Sequence, residues 1–307
     1  MDAHYREALG LLATTDSADA FARGTAQVEQ LAERGHAAAA ALLATVEAIG
    51  AGRPQNWTAA LSWLARAAEQ GSAKAQAQLQ LLSGAGPDDR GWQAMCGRID
   101  IPALLRAPAQ VALSERPRLR VLPGFASPAE CEWIIAAARP QLGPAMVWDE
   151  ATGAAKADPA RNSSALELRL TNMDVVTEFV RARITAATGL PEPIFEVPQI
   201  MHYVVGQEFH PHHDFLDPGL AGHAADLARR GQRMGTFLIF LNEDFEGGET
   251  EFPQAGIAHR GRRGDALFFA NVLPTGQPDP LTLHAGRPPL SGEKWLFSQW
   301  IRDRPPG

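Results

Sequence analysis

All but one of the 23 prolines lie beyond residue 84, and this asymmetry divides the chain into two regimes. Before that point only Pro54 interrupts a stretch rich in Ala, Leu, Glu and Gln, with apolar residues at helical spacing. Such side chains lose little freedom in a helix, whereas proline removes a backbone donor and clashes with the preceding turn. The pattern predicts an all-helical segment first, then short strands joined by turns in the proline- and glycine-punctuated remainder.

The helical segment repeats. Leu31-Ala-Glu-Arg-Gly35-His-Ala-Ala aligns with Ala67-Ala-Glu-Gln-Gly71-Ser-Ala-Lys, an offset of 36 residues between the two glycines. A period in the mid-thirties is the length of a two-helix solenoid unit, where glycine permits the tight turn and alanines let paired helices approach closely. With Trp57, Ala60, Trp63, Leu64, Ala67 and Ala68 ahead of Glu69-Gln-Gly71, residues 20 to 84 resemble the Sel-one-like repeats of the tetratricopeptide superfamily. That resemblance implies a surface for binding other proteins. The competing reading is an alanine-rich bundle that only packs on its neighbour.

These patterns divide the chain into a helical repeat domain (1–86), a linker (87–117) and a β-rich domain (118–307). Pro87, Asp88, Asp89, Arg90 and Gly91 break the helical pattern, and Pro102, Pro108 and Pro117 keep it broken. In the third part Leu119-Arg-Val-Leu122 reads as a strand. Ser127-Pro-Ala-Glu130 reads as a capping box opening a helix through Ala138. Met146 to Leu170, with Asp149, Thr152-Gly153 and Arg161-Asn-Ser-Ser164, reads as irregular structure with short strands. A second helix is expected over Asp174 to Thr188, then strands at 195–205, 236–241, 266–270 and 295–301. The fold class is α+β multidomain, with an all-β barrel or jelly roll fronted by two helices.

Charge and cysteines narrow the functional classes. A formal charge of −7 leaves no extended basic field, so no nucleic-acid partner is expected. Cys96 and Cys131 suggest neither a disulfide framework nor a zinc knuckle, and a reducing cytoplasm is the simplest home. No basic segment followed by an apolar core opens the chain, and no apolar run spans a bilayer, so neither secretion nor membrane insertion is expected.

The chemistry-bearing stretch is Tyr203-Val-Val-Gly-Gln-Glu-Phe-His-Pro-His-His-Asp214. In an extended chain residues i and i+2 share a side, so His212 and Asp214 can grip one metal while His213 points away. Joined by a distant histidine, they form a 2-His-1-carboxylate face, which leaves open positions for chemistry. Other motifs follow in order: Arg233-x-x-Thr236, Leu241-Asn242, Gly247-Gly-Glu-Thr-Glu-Phe-Pro253, Gly264-Asp-Ala-Leu-Phe268, and His284-Ala-Gly-Arg-Pro-Pro-Leu-Ser-Gly-Glu-Lys294-Trp295. As an ordered set over residues 118 to 303 they resemble the prolyl 4-hydroxylase branch of the iron(II)/2-oxoglutarate dioxygenases.

The resemblance implies a double-stranded β-helix that holds Fe(II) on His212, Asp214 and His284. It implies 2-oxoglutarate and O2 as cosubstrates, ascorbate binding, and no catalytic group beyond the metal centre. Lys294 stands in the place of the cation for the far carboxylate of 2-oxoglutarate, assisted by Tyr203 and Thr236. Arg161 and Trp300 are candidate substrate-pocket residues. The implied reaction is oxidative decarboxylation of 2-oxoglutarate to succinate and carbon dioxide with hydroxylation of a prolyl residue in a protein or peptide, recruited by the repeats. A free amino acid or other small molecule is the alternative substrate, and a non-catalytic adaptor or a zinc hydrolase using the same ligands are the alternative classes.

Two departures bear on substrate choice: Arg287-Pro-Pro stands where many relatives have Cys-Pro-Val, and Phe209 where a tyrosine is common. Gly247-Gly248 reads as a turn shaping the barrel mouth. The stretch from Asp217 to Arg233 is too long for a simple hairpin and reads as a lid. His259-Arg-Gly-Arg-Arg263 reads as a solvated turn, alternatively as an attractor of acidic substrate.

Overall fold

The computed structural model describes residues 3–13, 17–86, 88–148, 155–156 and 160–305. Pro87, Asp149, Thr152 and Gly153, singled out above, lie outside the described residues. Contacts divide the chain into two compact units, one comprising Met1–Arg106 with Arg169–Arg183 and the other Ala107–Leu168 with Ile184–Gly307.

The first unit is helical. Helices α1 (Ala3–Leu12), α2 (Ala18–Glu33), α3 (Ala37–Ile49), α4 (Trp57–Glu69) and α5 (Ala73–Ser83) are followed by the short α6 (Trp92–Arg98) and α7 (Ile101–Leu104). The 36-residue offset is visible in the backbone. Gly35 and Gly71 take φ of 92° and 90°, their amides bond to the carbonyls of Ala32 and Ala68, and the next amides, of His36 and Ser72, bond to Leu31 and Ala67. His36 and Ser72 then cap the following helices through the amides of Ala39 and Ala75. Val28, Ala32, Ala39, Ala40, Leu64, Ala65 and Leu79 are wholly buried, so the small residues set how closely the helices pack.

The segment read as a linker carries structure. Trp92 and Met95 give α6 a buried apolar face, and Pro102 sits at the start of α7, where no backbone donor is needed. The helix expected over Asp174 to Thr188 is α9 (Val175–Thr188), and its part up to Arg183 belongs to the helical unit. Phe179 stacks on Trp57 at 4.0 Å, Gln78 accepts from the Val175 amide at 2.9 Å, and Lys74 pairs with Asp174 at 3.1 Å. Every residue from Asp174 to Ile184 is buried. Burial continues around the helix and takes in Glu178, Arg181 and Arg183 as well as the apolar side chains, as in a core helix rather than a surface one.

The second unit is a jelly roll. Its larger sheet runs β1 (Val111–Ser114), β2 (Leu119–Leu122), β13 (Ala266–Ala270), β9 (Arg233–Phe240), β15 (Pro289–Arg302), β7 (Gln199–Val204), β6 (Ser164–Glu167) and β3 (Gly143–Pro144), with β10 (Phe245–Gly247) pairing β15. The smaller runs β12 (Ile257–His259), β11 (Thr250–Phe252), β14 (His284–Gly286) and β8 (Phe209–His212). A separate pair, β4 (Val147–Trp148) with β5 (Ala155–Lys156), stands apart. Inward residues alternate along the strands as period two requires. Leu119, Met201, Tyr203, Leu238, Phe240, Leu267, Phe269 and Leu296 of the larger sheet pack with Phe252 of the smaller. Each such fully buried apolar side chain contributes about 1.5–3 kcal/mol.

The capping box forms as expected at the head of α8 (Pro128–Ala138). The stretch read as a lid is a helix, α10 (Ala221–Arg230), preceded by a turn that holds Pro218 and Gly219. Its sequence mixes Ala, Leu and Arg, good helix formers, with an Asp226–Arg230 pair one turn apart at 2.6 Å. The flanking Gly and Pro masked that signal. The basic cluster is a solvated turn, as expected: Arg260 and Arg262 are exposed, Arg260 lies over Phe245 and donates to the Glu243 and Phe245 carbonyls, and Arg263 pairs with the exposed Glu132 at 2.8 Å.

Candidate active site

The two histidines reach one place because β8 and β14 pair with His212 opposite His284. Pro211 sits inside β8, which is tolerable because that strand is the edge of its sheet. His212 ends the strand and Asp214 follows it, while His213 turns the other way, its Nε2 3.1 Å from the Pro280 carbonyl. The three ligand atoms of His212, Asp214 and His284 lie within 4.8 Å of one another, with Asp214 oxygens 3.7 and 3.6 Å from the two Nε2 atoms.

Each imidazole is oriented by its other nitrogen. His212 Nδ1 is 2.7 Å from the His210 carbonyl and His284 Nδ1 is 2.9 Å from the Thr282 carbonyl. A carbonyl only accepts, so Nδ1 carries the proton and the Nε2 lone pair faces the third ligand. Burial, then the neighbouring His284, hold His212 well below the ordinary histidine range, so it stays neutral and able to ligate. Asp214 would be raised by burial, but His284, His212, Arg233 and the Thr236 hydroxyl outweigh that and keep it a carboxylate.

Thr236 donates to Asp214 Oδ2 at 2.6 Å and accepts from Asn271 Nδ2 at 3.0 Å. Its one proton is committed to a ligand. Towards a bound carboxylate it therefore offers no donor, and the described structure gives it the task of orienting Asp214. Asn271 carries no signal in the sequence: it follows β13 with no motif around it, and only the fold brings it beside Thr236.

Strand register builds the pocket floor. Lys294 lies opposite Tyr203 across β15 and β7, and Trp300 opposite Thr236 across β15 and β9. Lys294, Leu296, Ser298 and Trp300 share the inward face of β15, about 20 Å end to end by strand rise. They line a pocket with about 400 Å³ of empty space, together with the three metal-ligand candidates, Tyr203, Thr236 and apolar walls that include Met201 and Leu238.

Lys294 is the electrostatic anomaly. It is 1% exposed, and its Nζ has no hydrogen-bond partner among the described residues. Burial pushes it down to about 7, against a weaker upward pull from Glu249. A buried cation is costly unless paired, so the site is built for an anion that arrives with a ligand. Gly248 (φ 70°) makes room for it, since a Cβ there would meet Phe245 at 2.9 Å and the Lys294 Cδ at 3.3 Å. The sequence reading of Gly247-Gly248 as mouth-shaping thus gains a physical reason. Tyr203, 2% exposed, is pushed up by burial and keeps its phenolic proton as a donor. The three N,O ligands and the orphan ammonium fit Fe(II) and 2-oxoglutarate respectively.

Of the two substrate-pocket candidates, Trp300 lines the pocket and Arg161 is not among its lining residues. Arg161 is buried, bonded to the Met146 carbonyl and to Gln199, both at 3.0 Å, with its guanidinium over the Phe209 ring. Phe209 in turn stacks on His212 at 3.6 Å. Of the two departures noted in the sequence, Phe209 thus supports a ligand, and Arg287 is a half-exposed group 3.3 Å from Glu251.

Comparison with known proteins agrees with this geometry. Residues 198–302 match the 2OG-Fe(II) oxygenase superfamily. The chain is 35% identical to prolyl 4-hydroxylase 1 of Arabidopsis thaliana over 206 residues, covering 62% of this chain and 71% of the relative. It is also 35% identical to prolyl 4-hydroxylase 5 of the same plant over 209 residues, covering 62% and 69%. A solved viral collagen prolyl hydroxylase from Paramecium bursaria Chlorella virus-1 is 26% identical, covering 60% of this chain and 94% of that one with a TM-score of 0.45. By its identity to these relatives over more than two thirds of their length, and by its His212, Asp214 and His284 triad, the chain belongs to the prolyl 4-hydroxylase family of iron(II)- and 2-oxoglutarate-dependent oxygenases.

Proposed function

We propose that this enzyme hydroxylates a prolyl residue in a protein or peptide, with 2-oxoglutarate converted to succinate and carbon dioxide. The observation that carries the proposal is the open pocket that joins the His212, Asp214 and His284 triad to the unpaired Lys294 and then to Trp300 on one strand. The substrate class is supported by the relatives, which are named as prolyl 4-hydroxylases.

His212, Asp214 and His284 would hold the iron, and Lys294 with the Tyr203 hydroxyl would hold the cosubstrate. Iron, 2-oxoglutarate and O2 together supply the oxidising power to cleave an unactivated C–H bond. The chain's own work is placement. The His210 and Thr282 carbonyls keep the imidazole tautomers, Thr236 and Asn271 keep Asp214 aimed, and Met201, Leu238 and Leu296 exclude water from the pocket. Lys294 has to hold a proton when the carboxylate arrives.

We read the helical unit as the part that recruits the protein carrying that proline, supported by its repeated turn geometry. Substitutions on its exposed faces would then raise KM for an intact protein and leave a short peptide unchanged.

The deciding test is a panel of proline-containing peptides and free amino acids, scored by succinate release and by an oxygen-atom mass gain on proline. Turnover of small molecules alone would replace the peptide reading, and no succinate with any of them would favour the adaptor. Zinc rather than iron retained on purification would favour the hydrolase.

A further inference from the structure

Strand β15 is not flanked continuously on its β9 side. The β9 ladder runs as far as Phe240 opposite Leu296, and β10 takes over only at Phe245 opposite Gly292. Between them lies the stretch Glu293-Lys294-Trp295. The chain leaves β9 there through Leu241-Asn242, one of the ordered motifs of the sequence, and its backbone gives that stretch a single bond, from the Leu241 amide to the Trp295 carbonyl at 3.0 Å.

The Asn242 side chain fills the rest of the gap. Its Nδ2 donates to the Glu293 carbonyl at 2.7 Å, and its Oδ1 accepts from the Trp295 amide at 2.8 Å. A carbonyl only accepts and an amide N–H only donates, so the two partners dictate which way the carboxamide faces. They belong to the peptide units on either side of Lys294. One side chain therefore brackets Lys294 as a paired strand residue would.

The same stretch is braced on its outward face, where Glu293 and Trp295 point by strand alternation. Glu293 accepts from Arg139 at 2.6 and 3.2 Å and lies 2.8 Å from His202 Nε2. The Trp295 ring lies 4.2 Å from that of His202 and 4.8 Å from the Arg139 guanidinium. The Lys294 Nζ has no hydrogen-bond partner among the described residues, so no hydrogen bond aims it and its placement falls to the backbone that carries it.

We infer that Asn242 is a positioning residue: its carboxamide supplies the rung missing between β9 and β10, and so fixes where Lys294 presents its ammonium to 2-oxoglutarate. Asn242 need not touch the cosubstrate. The consequence for binding rests on the reading of Lys294 as the carboxylate anchor, whereas the consequence for the strand does not.

The experiment uses the full chain with Mn(II) in place of iron. By titration calorimetry Asn242→Ala should raise the 2-oxoglutarate Kd about tenfold, as loss of two hydrogen bonds allows, while the Mn(II) Kd stays within about twofold. Deuterium exchange at the Trp295 amide should quicken in the ligand-free protein. In a Lys294→Met background the same change should cost almost nothing in 2-oxoglutarate Kd, as a path through Lys294 requires. Asn242→Ser, with one hydroxyl on a shorter stem, should fall between parent and Asn242→Ala, and it is the variant to read where Asn242→Ala does not fold. An unchanged Kd, an equal penalty with and without Lys294, or Mn(II) affinity lost in step with 2-oxoglutarate affinity overturns the inference. If Lys294→Met alone leaves 2-oxoglutarate binding intact, the anchor reading is what fails, and exchange at the Trp295 amide decides whether Asn242 braces the strand.

Discussion

Lys294 and Arg302 are cations on the same inner strand, 1% and 2% exposed, and the protein treats them oppositely. Arg302 is met by Glu196, Asp226 and the Gly231 carbonyl. Lys294 has no hydrogen-bond partner among the described residues: its Nζ lies over the Tyr203 ring, 5.4 Å from the centroid, and Glu249 adds only a weaker upward pull. A buried charge whose partners come from the chain is part of the framework, and its removal leaves other charges stranded. A buried charge without such partners reports a missing ligand, and its removal relieves the empty protein. Burial and residue type alone do not separate the two cases, and the partner inventory does.

The sharpest test of that contrast is Lys294→Met. Affinity for 2-oxoglutarate should fall by about 3–5 kcal/mol, or two to four powers of ten in Kd, by titration calorimetry. The ligand-free melting temperature should rise, and a fall would put Lys294 in the framework class. Glu196→Gln should do the reverse, lowering unfolding free energy by about 3 kcal/mol in denaturant melts while 2-oxoglutarate affinity stays nearly constant. Thr236→Val removes the donor to Asp214 and should weaken metal binding about tenfold, with little effect on the Lys294 end of the pocket.

The smallest effect is in pH. Ligand-free Lys294 titrates at about 7, so above that value binding 2-oxoglutarate must first add a proton. The apparent Kd should be flat below pH 7 and weaken about fivefold from pH 7 to 8, a slope that Lys294→Arg should abolish. The same depression bears on stability with a definite sign. The unfolded lysine keeps its proton to about 10.5, so between pH 7 and 10.5 the unfolded chain binds more protons. Ligand-free stability should therefore rise with pH across that window, relative to Lys294→Met.

Much of the site was legible because its residues obey strand alternation. The His212-x-Asp214 spacing, the outward turn of His213 and the inward face that carries Lys294 and Trp300 all follow from period two. Ser127-Pro-Ala-Glu130 was legible because a capping box is local. Asn271, Glu196 and Arg302 were not, since their roles exist only once β9, β13 and β15 are in register. The α10 helix was hidden by the Gly and Pro that flank it, and the attachment of α9 to the helical unit by the 97-residue separation of Gln78 and Val175. Contacts that distant leave no periodicity behind.

That last attachment has a consequence for how the protein is made. Trp57 and Gln78 leave the ribosome well before Phe179 and Val175 exist, and residues 107–168 of the jelly roll are synthesised in between. The helical unit cannot be completed in order of synthesis. It must wait, with the face around Trp57 uncovered, until a stretch from the middle of the oxygenase emerges to close it. A gene cut at residue 106 would therefore separate one unit from a piece of itself.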